Sequence, residues 1–330
     1  MKDRPRDIGD AELRRALRAW EIDAVSLAHA PVGFGDHHWT VTDAGRRRWF
    51  VTVADLAHKS HCGAGPAAAF DGLRRAMDTA AALRVDGGLD AVVAPVRTAG
   101  GETLRPLGDG RYGISVFPRV DGEAGEFGDP LTNHDRGRVL DLLARLHTTP
   151  PPAAAPRAPL HLPARAELDS CLAALDRPWA GGPHAEPARE LTCAYASVLR
   201  RRLDEFDRRA AALGARDRPH VVTHGEPHSG NLLRRDGQVL LVDWDTVGTG
   251  LPERDLWHVV TGPDDCERYA GTTGRRPDPE ALAFFRLRWA LDDVAAFLAG
   301  FRGPHDRTPD VEESWTYLTA TLASLASDDF

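Results

Sequence analysis

A chain of 330 residues can bury a sizeable core and is long enough to form two lobes. Its net charge of −8 argues against nucleic acid as a partner and suits a cationic substrate. No apolar run approaches the ~20 residues of a membrane span, and residues 1–7 lead into no stretch of signal-peptide type, so we expect a cytoplasmic protein with no membrane partner. The four cysteines, Cys62, Cys171, Cys193 and Cys266, are scattered, which excludes a zinc site of paired cysteines and a disulfide framework. Lys2 and Lys59 are the chain's two lysines.

In chain order, the spacing of Leu13, Ala16, Leu17 and Trp20 predicts a helix over 10–20. From Ala30 the texture turns to short β-rich runs, 39–42 and 48–53, with Asp43-Ala44-Gly45 as the turn between them. An alanine-rich helix is expected over 66–84, and runs at 92–96, 103–104 and 112–117 complete a small, antiparallel sheet. This makes residues 1–118 an N-terminal lobe. Proline and glycine in Pro118-Arg119-Val120-Asp121-Gly122 break the pattern, and a hinge is placed near 117–122. Residues 119–330 then read as mainly helical, with helices at 133–147, 166–175, 187–213, 279–298 and 311–325, and a polyproline-like connector over 150–163.

One segment carries chemistry. Val221 to Leu233, then Arg235-Asp236-Gly237-Gln238 and Val239 to Asp245, reads as strand, loop, strand, tight turn, strand. It gathers a carboxylate at Glu226, a carboxamide at Asn231 and a second carboxylate at Asp243 on one scaffold. Phosphoryl transfer needs a group to orient the attacking hydroxyl and hard oxygen ligands to hold magnesium against nucleotide phosphates, and these three residues are the candidates. Asp245 has three readings: a second metal ligand, a substrate contact or a loop cap.

The small β-rich lobe, the hinge, the helical lobe and the His224-Gly225-Glu226-x-x-x-x-Asn231 loop before Asp243 together resemble the aminoglycoside phosphotransferase family, relatives of protein kinases and choline kinase. Length and lobe layout are most like its spectinomycin phosphotransferase branch. The resemblance implies an α+β, bilobal protein-kinase-like fold and a kinase using Mg2+ with ATP or GTP. Its acceptor would be a hydroxyl of an aminoglycoside or aminocyclitol antibiotic, with resistance as the result, and the protein would act as a monomer or weak dimer. The alternatives are a nucleoside-type antibiotic, a metabolite hydroxyl of homoserine or choline type, or a pseudokinase-like binding module.

By the same resemblance Glu226 is the base and a substrate contact, and Asn231 and Asp243 hold magnesium. His224 holds backbone and Asp255 braces the loop; of the three readings of Asp245, the substrate contact is the one carried forward. Gly33, Gly35, His37, His38, Thr52 and Phe117 fall on the nucleotide side. Two departures stand out. Glu226 replaces the family's aspartate, one methylene longer and with a reference pKa of about 4.3 against about 3.9. Thr52 stands where kinase-like enzymes carry a phosphate-binding lysine, and the 66–84 helix offers Asp71 and Asp78 but no glutamate to pair with one. Lys59, Arg74, Arg75 or a histidine of the glycine loop is then left to meet the phosphates, although Lys59 by itself reads as an exposed loop lysine.

Overall fold

In the computed structural model, which describes residues 1–327, the chain runs α1 (Asp10–Leu17), β1 (Ala24–Ala30), β2 (Asp36–Asp43), β3 (Arg48–Asp55), α2 (Pro66–Val85), β4 (Arg105–Leu107), β5 (Tyr112–Pro118), β6 (Glu123–Ala124) and α3 (Asn133–Thr148). It continues through α4 (Arg165–Ala173), α5 (Ala185–Gly214), β7 (Val221–Thr223), β8 (Leu232–Arg235), β9 (Gln238–Leu241), β10 (Gly248–Gly250), α6 (Glu253–Leu256), α7 (Pro263–Thr273), α8 (Pro279–Arg302) and α9 (Pro309–Ala326). These elements group into two compact units, residues 1–158 with 219–277, and residues 159–218 with 278–327.

The first unit is built on a five-stranded antiparallel sheet in the order β1-β2-β3-β5-β4. Alternation along the strands sends Trp39, Val41, Val51, Val53, Ile114 and Val116 to one face, where Leu13 and Leu17 of α1 join the same buried cluster. The sheet differs from the sequence reading at both ends. β1 was not expected as a full strand. Residues 92–96 form no strand: Pro95 interrupts them, and their backbone bonds go out to two partners, Val93 N–H to Leu241 O at 2.9 Å and Val96 N–H to Val116 O at 2.8 Å. The pairing expected at 103–104 falls instead on β4.

Beyond Pro118 the expected hinge segment leads into β6, which pairs with β8 of the β8–β9 hairpin. The hairpin turns at Asp236 and Gly237, with φ of 48° and 72°, the left-handed pair that Asp-Gly accommodates. α3 packs against β7 and β9 and buries Val139, Leu140, Leu143 and Leu146.

The second unit is helical. Phe206 of α5 stacks on Phe284 of α8 at 5.1 Å, and Leu318, Leu322 and Leu325 form the buried stripe of α9. Asp278 and Thr308 cap α8 and α9, each with proline at the first helical position. Among the described residues no helix is long and apolar enough to cross a membrane.

Candidate active site

The loop after β7 is fixed from beneath by a buried carboxylate. Asp255 of α6 is fully enclosed, and its Oδ2 accepts the His224 backbone N–H at 2.8 Å while Oδ1 accepts that of Gly225 at 2.6 Å. His147 of α3 donates from Nε2 to the same Oδ2 at 3.0 Å, and Tyr269 of α7 donates its hydroxyl to His147 Nδ1 at 2.8 Å. Burial alone would raise the Asp255 pKa; the His147 hydrogen bond, with the nearby Arg254 charge, outweighs it and holds the carboxyl below its ordinary value. Asp255 thus ties three elements to two consecutive loop amides.

His224 continues the frame. Its Nε2–H donates to Val242 O at 2.9 Å and its Nδ1 accepts the Glu226 N–H at 3.2 Å, so the ring is neutral, and burial lowers its pKa accordingly. Gly225 has φ of 104°, and a Cβ there would lie 2.4 Å from Nη2 of Arg254, whose guanidinium is buried and donates to Thr223 Oγ1 and Thr246 O. Glycine is needed for both reasons.

On this frame the three expected residues come together. Asn231 Nδ2 donates to the Glu226 carbonyl at 3.0 Å and lies 3.2 Å from His228 Nε2, which leaves Oδ1 as the oxygen that Asn231 offers to a ligand. Asp243, two residues past the end of β9, has φ of 65°, a left-handed conformation unusual outside glycine, and its residue stays open to solvent. Crowding by the surrounding protein, which thins the carboxyl's hydration on its inner side, and the neighbouring Asp245 charge push it well above the usual range. Burial and Asp245 likewise raise Glu226 to about 7.

The arrangement suits magnesium. Among the described residues no three His, Cys, Asp or Glu side chains converge as a self-sufficient metal cage. The hard oxygens of Asn231 and Asp243 match an ion that takes one or two protein ligands and completes its shell with phosphates and water.

The largest correction to the sequence reading is Lys59. It is 5% exposed and no surface lysine: Nζ hydrogen-bonds Asp245 Oδ2 at 2.6 Å and stands 2.9 Å from Asp36 Oδ1. Burial would lower its pKa, but Asp245, Asp36 and Asp243 raise it well above the usual value, so it is an ammonium. His61 adds a second contact to Asp245 Oδ2 at 3.2 Å. Burial would raise Asp245; Lys59 and His61 hold it well below the ordinary range.

On the nucleotide side, Gly33 and Gly35 both take positive φ, 71° and 96°, in the turn ahead of β2. His37 and His38 alternate across β2. His37 Nδ1 donates to the Asp3 carbonyl at 3.1 Å, whereas His38 stacks on Phe50 and lies 3.2 Å from Thr52 Oγ1. Burial brings His38 down to about 3. Phe117 is buried at the end of β5, opposite Phe50. Glu253 is buried within α6.

Comparison with known proteins follows this geometry. Residues 27–287 match the sequence model of the phosphotransferase enzyme family, APH. Protein StrN of Streptomyces griseus is 31% identical over 249 residues, covering 73% of this chain and 74% of that one. A spectinomycin phosphotransferase, solved with ADP and spectinomycin, superposes with a TM-score of 0.71 at 15% identity over 98% of this chain and 99% of its own. A microcompartment-associated aminopropanol kinase does so with a TM-score of 0.60 at 18% identity, over 96% of each chain. The kinase-like α+β fold is thereby shown.

Proposed function

The chain belongs to the phosphotransferase enzyme family and is a small-molecule kinase acting on hydroxyl groups; on that premise we propose that it moves the γ-phosphoryl of ATP or GTP to a hydroxyl of an aminocyclitol or aminoglycoside antibiotic of spectinomycin type, conferring resistance. The observation that carries this reading is the convergence of Glu226, Asn231 and Asp243 on a loop braced by Asp255. Residues 1–118 serve as the nucleotide-binding lobe and 119–330 as the catalytic and substrate-binding lobe, with the hinge near 117–122.

In the reaction the acceptor O–H and the bond from the γ-phosphorus to its bridging oxygen break, and a phosphate ester forms. Glu226 takes the acceptor's proton on its carboxylate, and its position near pH 7 fits a base that must be free at neutral pH yet willing to accept. Its extra methylene over aspartate is accommodated because the backbone beneath it is pinned on both sides, by His224 Nδ1 and by Asn231. Asn231 Oδ1 and the Asp243 carboxylate would hold magnesium, which supplies neutralisation of the phosphate charge. Glu226 and Asp245 present negative charge to a cationic acceptor, in keeping with a spectinomycin-like substrate.

Nucleotide consumption across aminocyclitols, neutral antibiotics and small amino alcohols tests the reading. We expect stimulation by aminocyclitols, no turnover in Asp243→Asn, and a kcat lowered about 10²- to 10⁴-fold in Glu226→Gln with KM little changed. Stimulation by amino alcohols alone overturns the acceptor class. Wild-type turnover in Asp243→Asn removes the metal assignment, and an unchanged kcat in Glu226→Gln places the base elsewhere.

A further inference from the structure

The phosphotransferase reading leaves a charge problem in this chain. Asp36, Glu226, Asp243 and Asp245 gather around the site, and a triphosphate cannot approach four carboxylates without a resident cation. β3 supplies none, since Thr52 faces His38. Of the other cations that the sequence offers, Arg74 pairs with Asp71 and Asp78 on the outer face of α2, and Arg75 bonds the carbonyls of Ala154 and Ala155. His37 is turned to Asp3, and His38 is neutral. Asp78 is occupied by Arg74, Arg97 and Thr103, so α2 offers no acid to a lysine on the sheet.

Lys59 alone of these candidates stands inside the acidic cluster. It hangs from the loop that follows β3, and that loop packs closely on α2: a Cβ on Gly72 would lie 1.9 Å from the Cys62 carbonyl oxygen, so helix and loop touch backbone to backbone. Its two contacts are unequal. The bond to Asp245 is short and aligned, whereas Asp36 Oδ1 lies at ion-pair distance but off the hydrogen-bond axis. Asp36 opens β2 directly after Gly35, so the ammonium stands between the root of the glycine turn and the loop that bears the metal candidate Asp243.

We propose that Lys59 is the phosphate-binding cation of this enzyme, anchored by Asp245, flanked by Asp36 and positioned by the packing of its loop on α2, in place of a lysine on the sheet. The proposal rests on the kinase reading above and adds to it the residue that meets the donor's phosphates. An ammonium has three donors, and one is spent on Asp245. The remaining directions take phosphate oxygens, and Asp36 keeps the side chain facing the turn under which those phosphates lie.

The test is nucleotide affinity by calorimetry, using ATP, ADP and adenosine on wild type, Lys59→Met and Lys59→Arg. Lys59→Met should lose about 10- to 100-fold in ATP affinity, the range of one charge-assisted hydrogen bond to phosphate, while adenosine binding stays unchanged. Lys59→Arg should restore part of the loss. Equal loss for ATP and adenosine, or none for either, overturns the proposal. Should Lys59→Met fail to fold, wild type labelled with 13C at lysine Cε gives two side-chain signals, because the chain has two lysines. The Lys59 signal should shift with ADP and stay in place with adenosine; a signal indifferent to ADP refutes the assignment. Wild type that binds neither ATP nor GTP defeats the kinase reading itself, whereas binding that survives Lys59→Met defeats this inference alone.

Discussion

Replacing Asp255 by asparagine keeps the shape of the brace and removes its charge. Oδ1 serves the Gly225 amide, and Oδ2 serves the His224 amide and His147 Nε2. His147 can adapt, because exchanging its tautomer lets Nε2 accept from an asparagine NH2 while Nδ1 donates to the Tyr269 oxygen. The two backbone amides cannot. Whichever way the carboxamide is turned, one buried N–H faces an NH2 group, and the bonds that survive lose their charge assistance. Together these cost about 2–4 kcal/mol, or roughly 4–16 °C in Tm at ~2–4 °C per kcal/mol for a unit of this size. A loop displaced by about 1 Å loses about 10²-fold in kcat. Thermal melts give the first quantity, and amide exchange at His224 and Gly225 shows whether the loss lies at the brace. Wild-type Tm with slow exchange at both amides would refute the reasoning.

Gly225→Ala combines an unfavourable φ of 104° with a Cβ driven into the Arg254 guanidinium, and should cost roughly 3 kcal/mol or more; unchanged Tm and turnover would show that Arg254 yields freely. The buried histidines should destabilise the folded chain in acid. Burial holds His228 at about 4 and His38 at about 3, and lowers His224 and His258 as well. A histidine whose folded pKa is depressed favours the unfolded chain once pH falls below ~6.5, where only the unfolded form takes up the proton. The gap in Tm between wild type and His228→Gln should therefore change in favour of the variant as pH falls from about 6.5 to 4, a comparison in which the opposing raised carboxyls of Glu226 and Asp243 cancel; a gap that stays constant across that window contradicts a neutral buried His228.

Much of the site was legible because its signals are local. The Asp236-Gly237 turn demands two positive φ values, so the hairpin and the spacing from Asn231 to Asp243 follow from chain chemistry. Asp255 was readable as a brace only through resemblance, since its partners His224 and His147 lie 31 and 108 positions away. The misreadings have a common cause. Residues 92–96 carry a strand's composition, yet their bonding partners lie on two different elements and Pro95 prevents a continuous ladder. Along β1, small and polar residues and an exposed Val25 hide an edge strand whose only neighbour is β2. Lys59 sits among polar loop residues and looks solvated; it is buried because aspartates at 36, 243 and 245, distant in sequence, converge on it.

Asp243 also bears on the history of the chain. A non-glycine residue held at φ 65° carries backbone strain, and here the strain is pinned from the far side: Trp244 is fully buried, donates its indole N–H to Leu241 O and sits edge-on to His224. Glycine would relieve that strain, and it is a single nucleotide change away from any aspartate codon. A sequence drifting free of phosphoryl transfer would meet that replacement early and have nothing to hold it back. An aspartate here therefore carries a backbone cost that glycine would avoid, which suits a position whose carboxylate is used and weighs against a bystander turn residue.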